Sequence, residues 1–322
     1  MRERLAIGPV GYRRVAYATL ASLTLIVMTG AAVRLTDSGL GCPNWPRCYG
    51  GPLPPLSGHA LIEFGNRALS GLVGVLTVVT AVLTFTRRPF RRDLVVPALL
   101  LPVGVLAQAV LGGYTVREHL APGFVMAHFG LSMLILIVAV ALAWRARAED
   151  PGPLRPRGSD RSAVWSVRGL TLLAGVTIFG GTAATAAGPH SGGVSGQKVH
   201  RLTFEGRDTL MWVIHRHATI AAVFGVAVIA VWLLRRHRGA SADELEPLTV
   251  LGVLVAAQGL VGSVQYELHL PADMVWVHVT LATFTWLAAL WAWADVGRLA
   301  PRRAAIDVPE PRVADARELE AV

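Results

Sequence analysis

Two histidines lie at matching positions of two similar apolar stretches. The first stretch, 107–133, reads AQAVLGGYTVREHLAPGFVMAHFGLSM, and the second, 257–283, reads AQGLVGSVQYELHLPADMVWVHVTLAT. In each, a Gln is followed four residues later by a Gly, and a His stands 20 residues after the Gln: His128 in the first stretch and His278 in the second. Ionisable residues in apolar segments are costly and are functional candidates by default. The pattern therefore predicts a duplicated site that holds a metal or a metallo-cofactor.

A third buried histidine is expected from the His-Arg-His sequence at 215–217. Residues two apart on a helix point to different faces, so only one of the two histidines can face the interior. We expect this to be His215, because setting Asn66 against His215 aligns the small residues that follow, although the sequence alone also allows His217. Together with His278, it would offer two imidazoles at one level, as axial ligands of a haem iron. The alternative is hydrogen-bonded histidines near the membrane interface.

A carboxylate and two arginines accompany these positions. Glu63 precedes Asn66 by three residues and shares its helix face. It is placed for proton transfer or for stabilising positive charge on a substrate, or, alternatively, it only stabilises a helix N-terminus. Arg67 and Arg216 are expected to pair with haem propionates, which suit the guanidinium fork. Their alternative is ordinary snorkelling to the membrane interface.

The chain has two cysteines, Cys42 and Cys48, in the sequence LGCPNWPRCYG. The predicted topology places this loop outside the cell, where disulfides persist. The two thiols could pair with each other or remain free. A thiolate metal site is disfavoured, since no further cysteine is present to complete it.

Composition places these residues in a membrane protein. Of the 322 residues, 53% are hydrophobic. Eight apolar runs approach or reach the roughly 20 residues that a helix needs to cross a bilayer, and helices satisfy their backbone groups within lipid. The predicted spans are 15–33, 62–86, 94–113, 122–144, 166–187, 211–234, 247–265 and 272–295.

The net charge of +9 is distributed as a topology signal. Arginine clusters recur at every second loop, which is the positive-inside pattern and predicts that both termini are cytoplasmic. This distribution argues against nucleic-acid binding. The clusters are Arg2, Arg4, Arg13 and Arg14; Arg87, Arg88, Arg91 and Arg92; Arg145 through Arg168; Arg235, Arg236 and Arg238; and Arg298, Arg302 and Arg303.

The predicted fold is an all-α membrane protein of eight transmembrane helices arranged as two pseudo-symmetric four-helix bundles. Both repeats begin inside and contain four spans, so they keep the same orientation, as parallel repeats do. We predict an N-terminal bundle over 1–148, a cytoplasmic linker over 149–163, a C-terminal bundle over 164–299 and a disordered cytoplasmic tail over 300–322. The linker and tail are rich in Pro, Arg and acidic residues, with no apolar face to bury.

Across residues 15–295 the chain resembles the heme A synthase family of eight-span membrane proteins. The resemblance rests on TGAAVRLTDSGLGCPNWPRC, IEFGNR, GPHSGG, HRH and the two AQ…G…H segments, in this order and on this topology. It implies oxidation of the C8 methyl of haem O to a formyl group by two successive hydroxylations, giving haem A for cytochrome c oxidase. It also implies a bacterial plasma-membrane location, lipid as surroundings, an unidentified electron acceptor, and haem O synthase, the protohaem farnesyltransferase, as a partner.

The resemblance also assigns roles to the residues above. His215 and His278 would be the axial ligands of a resident haem b in the C-terminal half. His128 would face the substrate haem in the N-terminal half, and Glu63 would be the catalytic carboxylate. The same resemblance implies that the two outer-loop cysteines form a disulfide, as they do in part of the family.

One departure from the family pattern concerns Asn66. Many members carry ExxHR on the second span, whereas this chain reads Glu63-Phe64-Gly65-Asn66-Arg67. Asn is a poor iron ligand, so the N-terminal haem iron would have an open or water-filled position.

A di-haem cytochrome b that carries electrons from quinol is the main alternative function, and it predicts two histidines per haem in both bundles. A duplicated transporter, the third class, would place Gly/Pro helix breaks near mid-membrane.

Overall fold

The computed structural model describes residues 6–148, 161–194, 196–204 and 208–296. Over these residues it is all-helical apart from isolated bridges, and eight helices are long and apolar enough to cross a membrane. This confirms the predicted helical class and the number of spans. The helices are α1 (Pro9–Leu35), α2 (Gly58–Thr86), α3 (Val95–Arg117), α4 (Pro122–Ala146), α5 (Arg161–Ala187), α6 (Thr209–His237), α7 (Ala242–Glu267) and α8 (Ala272–Val296).

Each predicted span falls within or close to one helix, but most helices extend beyond their apolar run. The start of α5 shows this, because the helix begins at Arg161, inside the predicted linker 149–163. The rest of that linker and the predicted tail 300–322 lie outside the described residues. Hydropathy marks the part of a helix that lies in lipid, whereas polar turns continue the same hydrogen-bonded backbone into the interface.

Local sequence explains where several helices begin. Pro9 and Pro122 occupy the first turns of α1 and α4. Amides of the first turn have no acceptor within the helix, so proline, which lacks the amide hydrogen, costs no hydrogen bond there. Ser241 caps α7 through a capping box, in which its hydroxyl accepts from the Glu244 amide and the Glu244 carboxylate accepts from the Ser241 amide.

The helices pack as two rings of four. In the first ring α1 contacts α2 and α4, and α3 contacts α2 and α4; in the second ring α5 contacts α6 and α8, and α7 contacts α6 and α8. The rings meet where α8 contacts α1 and α4 and where α4 contacts α5. The largest cluster of buried apolar residues includes members from both rings, so the two halves share one continuous core.

Indole hydrogen bonds cross the contact between the two rings. Trp276 and Trp286 of α8 donate to the main-chain oxygens of Met28 and Met133, each at 3.0 Å. Trp144 of α4 donates to Asp295 at 2.7 Å. In an apolar contact these directional bonds set the register of α8 against α1 and α4.

The turns that lead into α4 and α8 have the same unusual backbone. His119 and Leu120 before α4, and His269 and Leu270 before α8, all have positive φ angles between 49° and 62°. The amide of each leucine bonds back to the preceding helix, closing it in the same way in both halves. The two matched histidine helices therefore begin from matched turns.

Candidate functional site

His217 and His278 face each other between α6 and α8. Their ring centroids lie 6.2 Å apart and the ring planes are inclined by 79°. The Nδ1 atom of His217 lies 3.1 Å from the main-chain oxygen of Thr177, so it is the donor there and Nε2 remains for another partner. The distance between the two ring centroids is about that expected for two imidazoles that bind one metal ion between them through metal–nitrogen bonds of about 2.0–2.1 Å.

The expectation that His215 faces the bundle interior is wrong. Its side chain is exposed, while His217, two residues later, lies against Gly180, Gly181 and the His278 ring. Successive residues of an α-helix are about 100° apart, so facing one histidine inward necessarily turns the other away.

The repeat register explains this correction. A β-carbon built on Gly74 would lie 3.6 Å from Val105, and one built on Gly225 would lie 3.5 Å from Val255. The α2–α3 contact thus recurs between α6 and α7 when residues of α2 are matched to those 151 positions later. In this register the counterpart of Asn66 is His217, whereas the sequence-based alignment had set Asn66 against His215.

His128 and His278 lie in similar glycine-lined positions. A β-carbon on Gly112 would come within 3.1 Å of His128 Cε1, and one on Gly262 within 3.2 Å of His278 Cε1. The Nδ1 atoms of both histidines are buried and have no hydrogen-bond partner. Because buried polar atoms are normally bonded, each ring is suited to a ligand that the protein itself does not provide.

The matched glutamine has a structural role in the first half. Gln108 of α3 donates to the main-chain oxygen of His128 at 2.9 Å and also bonds the hydroxyl of Ser132. It therefore links α3 to α4 at the level of the histidine. In the first half, therefore, the Gln of the repeat has a helix-packing role.

In the first half, the α2 position that corresponds to His217 is filled by Asn66. The hydroxyl of Thr29 in α1 donates to Asn66 Oδ1 at 2.8 Å. Thr29 is the 151-residue counterpart of Gly180, which lies beside His217. One half thus combines two histidines with glycine, and the other combines one histidine with an Asn–Thr pair.

Glu63 is buried near the start of α2, with 5% of its surface exposed. Its Oε2 accepts a hydrogen bond from the Cys42 amide at 2.6 Å, and its Oε1 pairs with Arg67. Arg67 also donates to the main-chain oxygens of Asn44, at 2.8 Å, and Cys42, at 3.0 Å. The carboxylate is therefore oriented on one side by the loop between α1 and α2, and on the other by Arg67 of α2, which itself bonds that loop.

The two cysteines of that loop form a disulfide, with an S–S distance of 2.02 Å. This confirms the bond implied by the resemblance and removes the alternative of two free thiols. Both cysteines are fully buried or nearly so, against Ala60 of α2. The covalent ring holds the Cys42 amide in the position where it meets Glu63.

The two arginines have different surroundings. Arg67 is occupied by Glu63 and by loop carbonyls, whereas Arg216 is exposed and lies over the Trp212 ring at 4.6 Å from its centroid. Contact of either guanidinium with haem propionates stays a prediction.

Within the described ranges, no group of three or more His, Cys, Asp or Glu side chains could hold a metal ion. A compact zinc site, which needs three or four protein ligands, is therefore not formed there. Two opposed histidines suffice for haem, because the porphyrin supplies the other iron ligands. Sequence reasoning missed the parts played by Thr29, Gly180 and Gly181; the small residues that end the first and fifth spans were their only signal.

Comparison with known proteins gives consistent matches. The sequence profile COX15-CtaA, described as cytochrome oxidase assembly protein, matches residues 13–61 and 57–290. The heme A synthase of Symbiobacterium thermophilum is 39% identical over 171 residues, which are 50% of this chain and 56% of that protein. Those of Halalkalibacterium halodurans (31% identity, 44% of this chain, 48% of the relative) and Shewanella oneidensis (32%, 50% and 51%) are also similar. These matches span about half the length of the curated relatives.

Proposed function

Because this chain belongs to the COX15-CtaA family of cytochrome oxidase assembly proteins, we propose that it is a heme A synthase. In this proposal it oxidises the C8 methyl of haem O to a formyl group, giving haem A for cytochrome c oxidase. The observation that carries the proposal is the difference between two similar pockets. One has the opposed pair His217 and His278, and the other has His128 with an Asn in place of the second imidazole.

The C-terminal half is proposed to hold a resident haem b through His217 and His278. When bound, this group supplies one-electron transfer. The main-chain oxygen of Thr177 fixes the tautomer and orientation of His217, leaving Nε2 as the coordinating atom. Gly181 and Gly262 leave room for the two rings, because a β-carbon at either position would lie 3.2 Å from a ring carbon. The proposed ligand on α6 is thus His217 and not His215, which the sequence alone favours.

The N-terminal half is proposed to bind haem O as substrate, with His128 directed to its iron. A single histidine ligand suits a pocket that must release its product, since fewer protein bonds hold the iron. The register of α2 and α6 supports this proposal, because Asn66, a poor ligand, corresponds to His217 of the other half.

Glu63 is proposed as the catalytic carboxylate. Each hydroxylation replaces a methyl C–H bond by C–O and removes two electrons and two protons when water supplies the oxygen; loss of water from the gem-diol then leaves the formyl group. A carboxylate three residues from Asn66 on α2 can accept a proton or stabilise positive charge on the reacting carbon. The Cys42 amide donates to one oxygen of the carboxylate and Arg67 to the other, and a carboxylate oxygen can accept more than one hydrogen bond.

The two rings of helices are proposed to be pseudo-symmetric repeats in the bacterial plasma membrane with both termini cytoplasmic. The recurring Gly–Val contacts, His–Gly contacts and positive-φ turns support the repeat, and the arginine distribution supports the orientation. The disulfide loop would then lie on the oxidising side. The farnesylated substrate would come from a haem O synthase, and an electron acceptor completes the reaction.

The di-haem cytochrome b alternative gains no support from these pockets. It requires two histidines per haem in both halves, and α2 presents Asn66 instead. Three outcomes separate the hypotheses when the full chain is co-expressed with a haem O synthase and its pigments are extracted. Haem A is expected. Haem b alone would overturn the synthase and favour the electron carrier, and a protein without haem would overturn both.

A further inference from the structure

The two halves differ at matched positions of α2 and α6, which are occupied by Asn66 and His217. We propose that, with a haem bound through His128, Asn66 held by Thr29 would leave the iron accessible to a small ligand and would donate its amide N–H to that ligand. This inference rests on one part of the proposed function, namely that a haem binds through His128.

The amide of Asn66 contacts Thr29 of α1. The Thr29 hydroxyl lies 2.8 Å from Asn66 Oδ1 and 3.3 Å from the main-chain oxygen of Ile26; when its hydrogen is directed to the nearer atom, Oδ1 is the acceptor and the NH2 group is the free end. Thr29 lies on α1, and its counterpart Gly180 contacts the ring of His217 in the other half. The Asn66 side chain is therefore in the register of His217, with two N–H donors and a shorter reach.

Asn66 also leaves space that the imidazole fills in the other half. A β-carbon on Gly181 would lie 3.2 Å from His217 Cε1, whereas one on Gly30, its counterpart 151 residues earlier, would meet nothing within 4 Å. The contact that the imidazole of His217 makes with Gly181 thus has no counterpart at Gly30. Beside the shorter amide of Asn66, a small hydrogen-bond acceptor would be favoured.

The one histidine of α2, His59, does not replace the missing ligand. His59 precedes Asn66 by seven residues, about 10 Å along the helix axis, and its Nδ1 bonds the Ser38 hydroxyl at 3.0 Å. It therefore lies two turns nearer the α2 N-terminus than the level at which Asn66 stands.

Carbon monoxide and cyanide are the probes for the open position. In purified full-length protein loaded with both haems, we expect carbon monoxide to bind the reduced iron of one haem only. Asn66→His should abolish this binding and give a second low-spin, bis-histidine spectrum. The mirror variant His217→Asn should create a second carbon monoxide site in the protein that retains haem.

Removing the donor tests its direct role. Asn66→Leu should preserve one open iron but weaken cyanide binding by roughly 2- to 10-fold, the loss expected for one hydrogen bond. Thr29→Val, which frees the amide to rotate, should shift the carbon monoxide stretching frequency with little change in haem content. If Asn66→His does not fold, these two variants still decide the question.

Two results would contradict this inference. Bis-histidine spectra at both haems of the wild type would overturn the open position, and unchanged cyanide affinity in Asn66→Leu would overturn the donor role. A protein that binds carbon monoxide at one haem but forms no haem A would disprove the proposed function while leaving this inference intact. Formation of haem A without a carbon monoxide site would overturn this inference and leave the proposed function intact.

Discussion

The main-chain amide of Cys42 donates a hydrogen bond to Glu63 Oε2 at 2.6 Å. This bond joins the disulfide-closed loop between α1 and α2 directly to the buried carboxylate. Arg67 strengthens the connection, because it pairs with Glu63 and donates to the Cys42 main-chain oxygen. The loop and the carboxylate therefore behave as one unit, and a change in either should be felt by the other.

Removal of the disulfide should loosen this unit. For the double variant Cys42→Ser with Cys48→Ser, we expect a loss of about 2 kcal/mol in the free energy of unfolding, as the chain-entropy relation gives for so short a loop. Haem A formation should fall while the C-terminal haem is retained. Thermal unfolding, with and without reductant, measures the stability. If reductant still lowers the stability of the double variant, its effect on the wild type does not come from the Cys42–Cys48 disulfide.

Loss of the charge at Glu63 should affect chemistry more than folding. Glu63→Gln keeps the shape and can still accept from the Cys42 amide, but it cannot accept a proton or pair ionically with Arg67. We expect haem A formation to fall by about 100-fold or more, within the range of general acid–base contributions, with the haem b spectrum unchanged. Glu118→Gln in the exposed turn after α3 is the control. Equal haem A yields from the two variants would refute the catalytic role.

The two histidines of α6 form a matched pair of variants. His217→Ala should lose the low-spin haem signal of the C-terminal half, because it removes the ring that faces His278. His215→Ala should keep that signal, because its side chain is exposed. Haem-to-protein ratios and absorption spectra of the purified variants provide the measurement. The reverse outcome would restore His215 as the ligand.

The glycine beside His278 offers a test of the room available to the ring. In Gly262→Ala the new methyl group would lie 3.2 Å from His278 Cε1. Such crowding typically costs about 1–3 kcal/mol, so we expect a lower haem content in the C-terminal half. Gly259→Ala, on the same helix, meets nothing within 4 Å and is the control. Similar haem contents in both variants would show that the ring can move aside.

Much of the fold could be predicted from residue patterns. Apolar run length specifies eight helices, and the recurrence of Gln, Gly and His at fixed spacing identifies the matched helices α4 and α8 with their histidines. The positions of helix ends were less predictable, as α5 shows by starting at Arg161. Helix ends depend on hydrogen-bonding partners in polar turns, which hydropathy does not report.

The sequence by itself determined which residue types are available to the site: three histidines, one carboxylate and a cysteine pair. Only the tertiary structure decided which of His215 and His217 faces His278. Two residues apart on a helix, they differ by about 200° in direction, so the choice depends on the rotation of α6 about its axis. That rotation is set by contacts with other helices, at Gly225 against Val255 and at His217 against Gly180. Such contacts between distant segments cannot be seen in the local sequence of α6.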